Sequence, residues 1–77
     1  MDLSPKSLVK LLNQKGWLLV RVNGSHHIFF NEDTRQTLPV PIHGNKDLKL
    51  GTYKSILKMA DIDFAEVANI SKKKKQD

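Results

Sequence analysis

The sequence predicts an α+β domain of order α-β-β-β-α, with two helices covering one face of a three-stranded antiparallel sheet. Three observations carry that expectation. Apolar residues recur at helical spacing near both ends, as Leu8, Leu11 and Leu12 and as Tyr53, Ile56, Leu57 and Ala60. Between them come short runs of β-branched and bulky residues bounded by turn formers. Inside that region lies Asn23-Gly24, the strongest short-range hairpin signal, because a type I′ turn needs positive φ at both central positions.

Ser4-Pro5 opens the first helix, with Ser as a favoured N-cap and Pro suited to the first helical position. Val9 widens the leucine stripe, and Lys6, Lys10 and Asn13 face water. Gly16 supplies the left-handed stop, so the helix spans about Ser4 to Lys15 and Trp17 folds back onto its last turn. The first strand is Trp17-Leu18-Leu19-Val20-Arg21-Val22, and the second returns from His26 to Phe30. Asn31-Glu32-Asp33-Thr34 is turn chemistry, since Asn and Asp satisfy backbone groups locally. Arg35 to Val40 forms the third strand with Leu38 and Val40 on one face, and Pro39 and Pro41 place it at a sheet edge. A polar connection from Ile42 to Leu50 holds His43-Gly44-Asn45. Gly51-Thr52 then caps the second helix, which shows Lys54 and Lys58 on its exposed side. Phe64, Val67 and Ala68 suggest one more short helical turn.

Seventy-seven residues make one domain, expected over residues 1–70, with 71–77 a disordered lysine-rich tail. A chain this small buries only about 60–65% of the surface its unfolded form exposes. It has no cysteine, which excludes disulfides and cysteine-based zinc sites. No apolar run approaches the length of a membrane span and no signal-peptide pattern opens the chain, so the expectation is a soluble cytoplasmic protein. The formal charge is +5, from 13 Lys and Arg against 8 Asp and Glu. Such an excess favours nucleic acid or an acidic protein partner. Four of those lysines, Lys72 to Lys75, sit in the tail.

The candidate chemistry centres on His26 and His27, beside the turn. Histidine is the side chain that gains or loses a proton nearest neutrality. Alternation along a strand sends the two to opposite faces. If Phe29 is the core aromatic, His27 joins it inside and His26 is displayed; if Ile28 and Phe30 are inside, the roles swap. Adjacent strand positions do not chelate one ion together, so no metal is expected. Ser25 and His26 lack a third orienting group for nucleophilic catalysis. Metal-free phosphodiester chemistry on RNA suits these parts best, since the substrate's 2′-hydroxyl is its own nucleophile. A displayed His moves protons, and nearby cations such as Arg21 and Lys54 stabilise charge at phosphorus.

Four blocks of the chain resemble the HicA toxins, small ribonucleases of toxin–antitoxin pairs. They are Lys15-Gly16-Trp17; Arg21-Val22-Asn23-Gly24-Ser25-His26-His27; Val40-Pro41-Ile42-His43-Gly44-Asn45-Lys46-Asp47-Leu48; and Gly51-Thr52-Tyr53-Lys54-Ser55-Ile56-Leu57-Lys58. The resemblance runs from about Ser7 to Ile62 and implies a double-stranded-RNA-binding-domain-like fold. It implies cofactor-free cleavage of mRNA by one His of the Gly-Ser-His motif, carried onto His26 with His27 in reserve. Arg21, Ser25, Lys54 and Lys58 are the candidate RNA-binding residues. The implied partners are mRNA and a HicB-type antitoxin, through which a larger complex would sit on operator DNA. Pro39 and the lysine tail depart from the family pattern. Two readings from other classes stand beside this one: a noncatalytic RNA-binding module using Lys46, Lys49, Lys54 and Lys58, and a pure protein-interaction domain. For His43, a structural or antitoxin-contacting role ranks above catalysis.

Overall fold

The computed structural model describes residues 2–67. The expected lysine tail and Ala68 lie outside the described residues. The element order is α1 (Pro5–Gln14), β1 (Trp17–Asn23), β2 (His26–Asn31), β3 (Gln36–Pro41) and α2 (Leu50–Met59), followed by a helical turn over 64–67. The strands form an antiparallel sheet in the order β1-β2-β3. This is an open α+β sheet consistent with the double-stranded-RNA-binding-domain-like architecture.

Local chemistry explains the ends of α1. Ser4 stands at the N-cap in extended conformation, and its hydroxyl accepts from the Ser7 N–H. The Asp2 carboxylate adds a second cap, accepting from the Ser4 N–H at 2.9 Å and from the Ser7 hydroxyl. Those bonds, the Ser7 hydroxyl foremost, hold the Asp2 carboxyl down at about 2. At the other end Gly16 takes φ +93° and lets the chain turn into β1. A Cβ there would meet the Asn31 amide at 3.5 Å, an ordinary contact, so the positive φ is what calls for glycine.

Asn31 is buried and joins α1 to the β2–β3 turn. Its Nδ2 donates to the Lys15 carbonyl at 3.5 Å, while its Oδ1 accepts from the Asp33 N–H at 2.9 Å and the Thr34 N–H at 3.4 Å. The third strand starts at Gln36, one residue later than expected. Arg35 sits instead at φ +58°, closing the turn with its N–H on the Asn31 carbonyl at 2.7 Å.

The core lies between the helices and one face of the sheet. Leu8 and Leu12 from α1 and Tyr53, Ile56 and Leu57 from α2 cluster with Trp17, Phe29, Leu38 and Val40. Burial alternates along the strands as a one-sided sheet requires: Phe29, Leu38 and Val40 point inward, Ile28 and Phe30 outward. Phe64 follows α2 and meets the Tyr53 ring edge-on, with centroids 6.4 Å apart.

Two turns differ from the sequence expectation. The β1–β2 loop is Gly24-Ser25, because Asn23 pairs with His26 inside the ladder. Gly24 has φ +61° and no positive φ occurs at Asn23 or Ser25. That is the type II′ pattern, with glycine at the first central position, not type I′ over Asn23-Gly24. The single residue free of Cβ strain takes the single left-handed position. The second difference is the start of α2. Its N-cap is Lys49, with no side-chain cap, and Gly51 and Thr52 fall in the first turn. Leu48 decides this by being buried and by donating its N–H to the Leu3 carbonyl at 2.9 Å, which fixes the chain just before the helix.

Candidate functional site

Phe29 settles which histidine is displayed. It is fully buried, so the alternation of β2 places His27 on the helix side with it and His26 on the open side with Ile28 and Phe30. His26 is exposed and His27 half-buried. The His27 Nδ1 lies 3.4 Å from the Ser25 carbonyl, which also accepts from the Ile42 N–H at 2.7 Å. His27 is therefore built into the turn. His26 projects from a scaffold held by a tight loop on one side and by the pairing of β2 with β3 on the other.

Arg21 reaches the same face through a bulge. Leu19 pairs with Phe29 and Arg21 with Ile28, so Val20 is an extra residue with no partner. Strict alternation from Leu19 would have turned Arg21 towards the helices. The inserted residue resets the alternation and places Arg21 beside Asn23, His26 and Ile28 on the open surface. Ser25, half-buried in the loop, adjoins His26 in sequence.

Lys54 and Lys58 lie elsewhere. Both are on α2, in the layer packed against the opposite side of the sheet from His26. The Lys54 Nζ sits 4.8 Å from the centre of the Phe64 ring. Together the two lysines line a cleft with Asp61, Asp63 and Phe64. Two carboxylates in that cleft oppose a phosphate there, so the structure joins Arg21 to His26 but does not bring these lysines to it.

A second pair of lysines, Lys46 and Lys49, adjoins the end of the strand opposite His26. Pro41, the cross-strand partner of His26, also forms one wall of a cleft of about 360 Å³ lined by His43, Lys46, Asp47, Leu48, Lys49 and Thr52. The first turn of α2, which carries no acidic residue, opens into it. The polar loop signalled exposure of His43, Lys46 and Lys49; only the ladder shows that they begin where the strand opposite His26 ends. Among the described residues no group of three or more His, Asp or Glu is placed to hold a metal ion.

With this geometry in place, comparison with known families is decisive. The model described as the HicA toxin of bacterial toxin-antitoxin matches residues 5–62, from the start of α1 past the end of α2. The chain belongs to the HicA toxin family. Membership places it on the toxin side of a toxin–antitoxin pair and implies a partner antitoxin. A comparison with curated proteins finds no match. The matched span of this HicA-family chain contains β1, β2 and β3, His26, His27 and the cleft beside Pro41. No helix among the described residues is long and apolar enough to cross a membrane.

Proposed function

We propose that this toxin is a metal-independent endoribonuclease acting on mRNA in the cytoplasm, with His26 as the proton carrier. The observation that carries the reading is the burial of Phe29, which leaves His26 displayed on the same open face as Arg21. A neutral imidazole at His26 takes the proton from an RNA 2′-hydroxyl. The 2′-oxygen attacks phosphorus as the P–O5′ bond breaks, the 5′-oxygen leaves with a proton from water, and the imidazolium returns its proton to the hydroxide so formed. The products are a 2′,3′-cyclic phosphate and a 5′-hydroxyl end. Arg21, on the same open face, is the cation we assign to the added negative charge at phosphorus, the moment at which a fixed cation contributes most.

The cleft beside Pro41 supports the substrate half of this reading. Lys46 and Lys49, against the single carboxylate of Asp47 in that lining, offer positive charge to phosphates flanking the cut, and binding of that kind weakens as salt rises. The same lining favours the second reading, a noncatalytic RNA-binding module. A HicB-type antitoxin would silence the site and carry the toxin to operator DNA. Incubating purified toxin with single-stranded RNA in EDTA at neutral pH separates the readings. Endonucleolytic products with cyclic phosphate ends are expected; salt-sensitive binding with intact RNA would leave only the module.

A further inference from the structure

We infer that the outer edge of β1 is the docking strand for the antitoxin, and that its occupant is an acidic, extended segment bearing apolar side chains. β1 borders the sheet, so among the described residues one row of its backbone groups has no neighbouring strand. Four of its seven residues are large, apolar and open to solvent: Leu18 at 53%, Leu19 at 47%, Val20 at 60% and Val22 at 54% exposed. Soluble proteins blunt such edges with charges, prolines or cover. The opposite edge, β3, has Pro39 and Pro41; β1 has only Arg21 and the bulge at Val20.

The exposed side chains point to both sides of the sheet plane. Leu18 pairs with Phe30 on the open face, while Leu19 pairs with Phe29 and Val22 with His27 on the helix side, beyond the cover of either helix. A partner lying flat on one face would leave half of them wet. A strand added side-on covers them all and pairs the free backbone groups. Nucleic acid gains nothing from leucine and valine here, so the occupant is protein.

Charge selects which protein. From Gly16 to Asn31 there is no Asp or Glu, while Arg21, His26 and His27 all fall in that stretch. A second copy would bring one Arg21-bearing strand against another, within two chains each of formal charge +5. An acidic segment is complementary instead. The toxin–antitoxin family supplies a protein partner. Because Arg21 shares its face with His26, a segment held along β1 flanks the site proposed for RNA. That regulatory consequence rests on the proposed function; the docking strand itself does not.

The test titrates purified toxin with the protein encoded by the adjoining reading frame, by calorimetry and by hydrogen exchange. Val20→Glu alters an exposed, unpaired bulge residue outside the core, and an unchanged circular dichroism melt verifies its fold. Its affinity for the antitoxin should fall about tenfold or more, and Val20→Lys should lose less. Leu50→Glu, at an exposed apolar position on α2, should bind as the parent does. Antitoxin should slow amide exchange in β1. Absence of parent binding, full affinity in Val20→Glu, or protection that spares β1 would overturn the inference. Self-association of the toxin alone, abolished by Val20→Glu, would assign the edge to a second copy and overturn it equally. These readouts are independent of RNA cleavage, so an inactive toxin that still docks through β1 would remove only the activity.

Discussion

The same substitution, glycine to alanine, should change stability in opposite directions at Gly24 and Gly51. Gly24 holds φ +61°, and a Cβ there meets nothing within 4 Å, so the whole effect is backbone strain. An L-residue in the left-handed region costs about 1–2 kcal/mol. Gly51 also has open space around a Cβ, but it lies in the first turn of α2 without positive φ. Alanine at such a site reduces the freedom of the unfolded chain and favours the helix, for a gain of about 0.5–1 kcal/mol. In a domain of this size each kcal/mol moves Tm by about 4–8 °C. Thermal melts should therefore show Gly24→Ala several degrees below the parent and Gly51→Ala a few degrees above it. Gly24→Asn should fall between Gly24→Ala and the parent, because Asn tolerates this conformation better. A stabilised Gly24→Ala would refute the type II′ loop, and with it the scaffold that presents His26.

Asn31→Ala should cost about 2 kcal/mol in urea unfolding, because two turn N–H groups lose their acceptor and the Lys15 carbonyl its donor. Asn31→Asp keeps the acceptor and should cost roughly half as much. Burial, with a smaller contribution from the Asp2 charge, raises the Tyr53 phenol above its ordinary value. The folded state therefore holds that proton more tightly than the unfolded chain. The associated stability is fully present below about pH 10 and is lost as pH climbs through the folded value. Tyr53→Phe should flatten this alkaline loss, as followed by urea midpoints across that range.

What the sequence made legible was mostly local. Ser4 and Gly16 bracket α1 because capping and left-handed stops act over a few residues. The apolar stripes of both helices appear in the core, Leu8 and Leu12 against Tyr53, Ile56, Leu57 and Ala60, with Leu11 only half-buried at its margin. Features set by pairing between strands were not legible. The hairpin turns one residue later than Asn23-Gly24 suggests, since the ladder takes Asn23 to pair with His26. The bulge at Val20 has no residue signature, yet it alone puts Arg21 on the face of His26. Alternation left two orientations of the histidines open, and burial of Phe29 selects one. Lys54 and Lys58 read correctly as an exposed helix face, but their distance from His26 follows from which side of the sheet α2 covers.

The central claim is that His26, and not His27, moves the proton. The direct measurement compares single-turnover cleavage of one single-stranded RNA by the parent, His26→Ala and His27→Ala, in EDTA at neutral pH, with melts of all three. His26→Ala should be slower by about 10²–10⁴ with its melt unchanged, as befits an exposed side chain. His27→Ala should melt earlier and still cut. Parent-like cleavage by His26→Ala, or loss confined to a folded His27→Ala, would contradict the account.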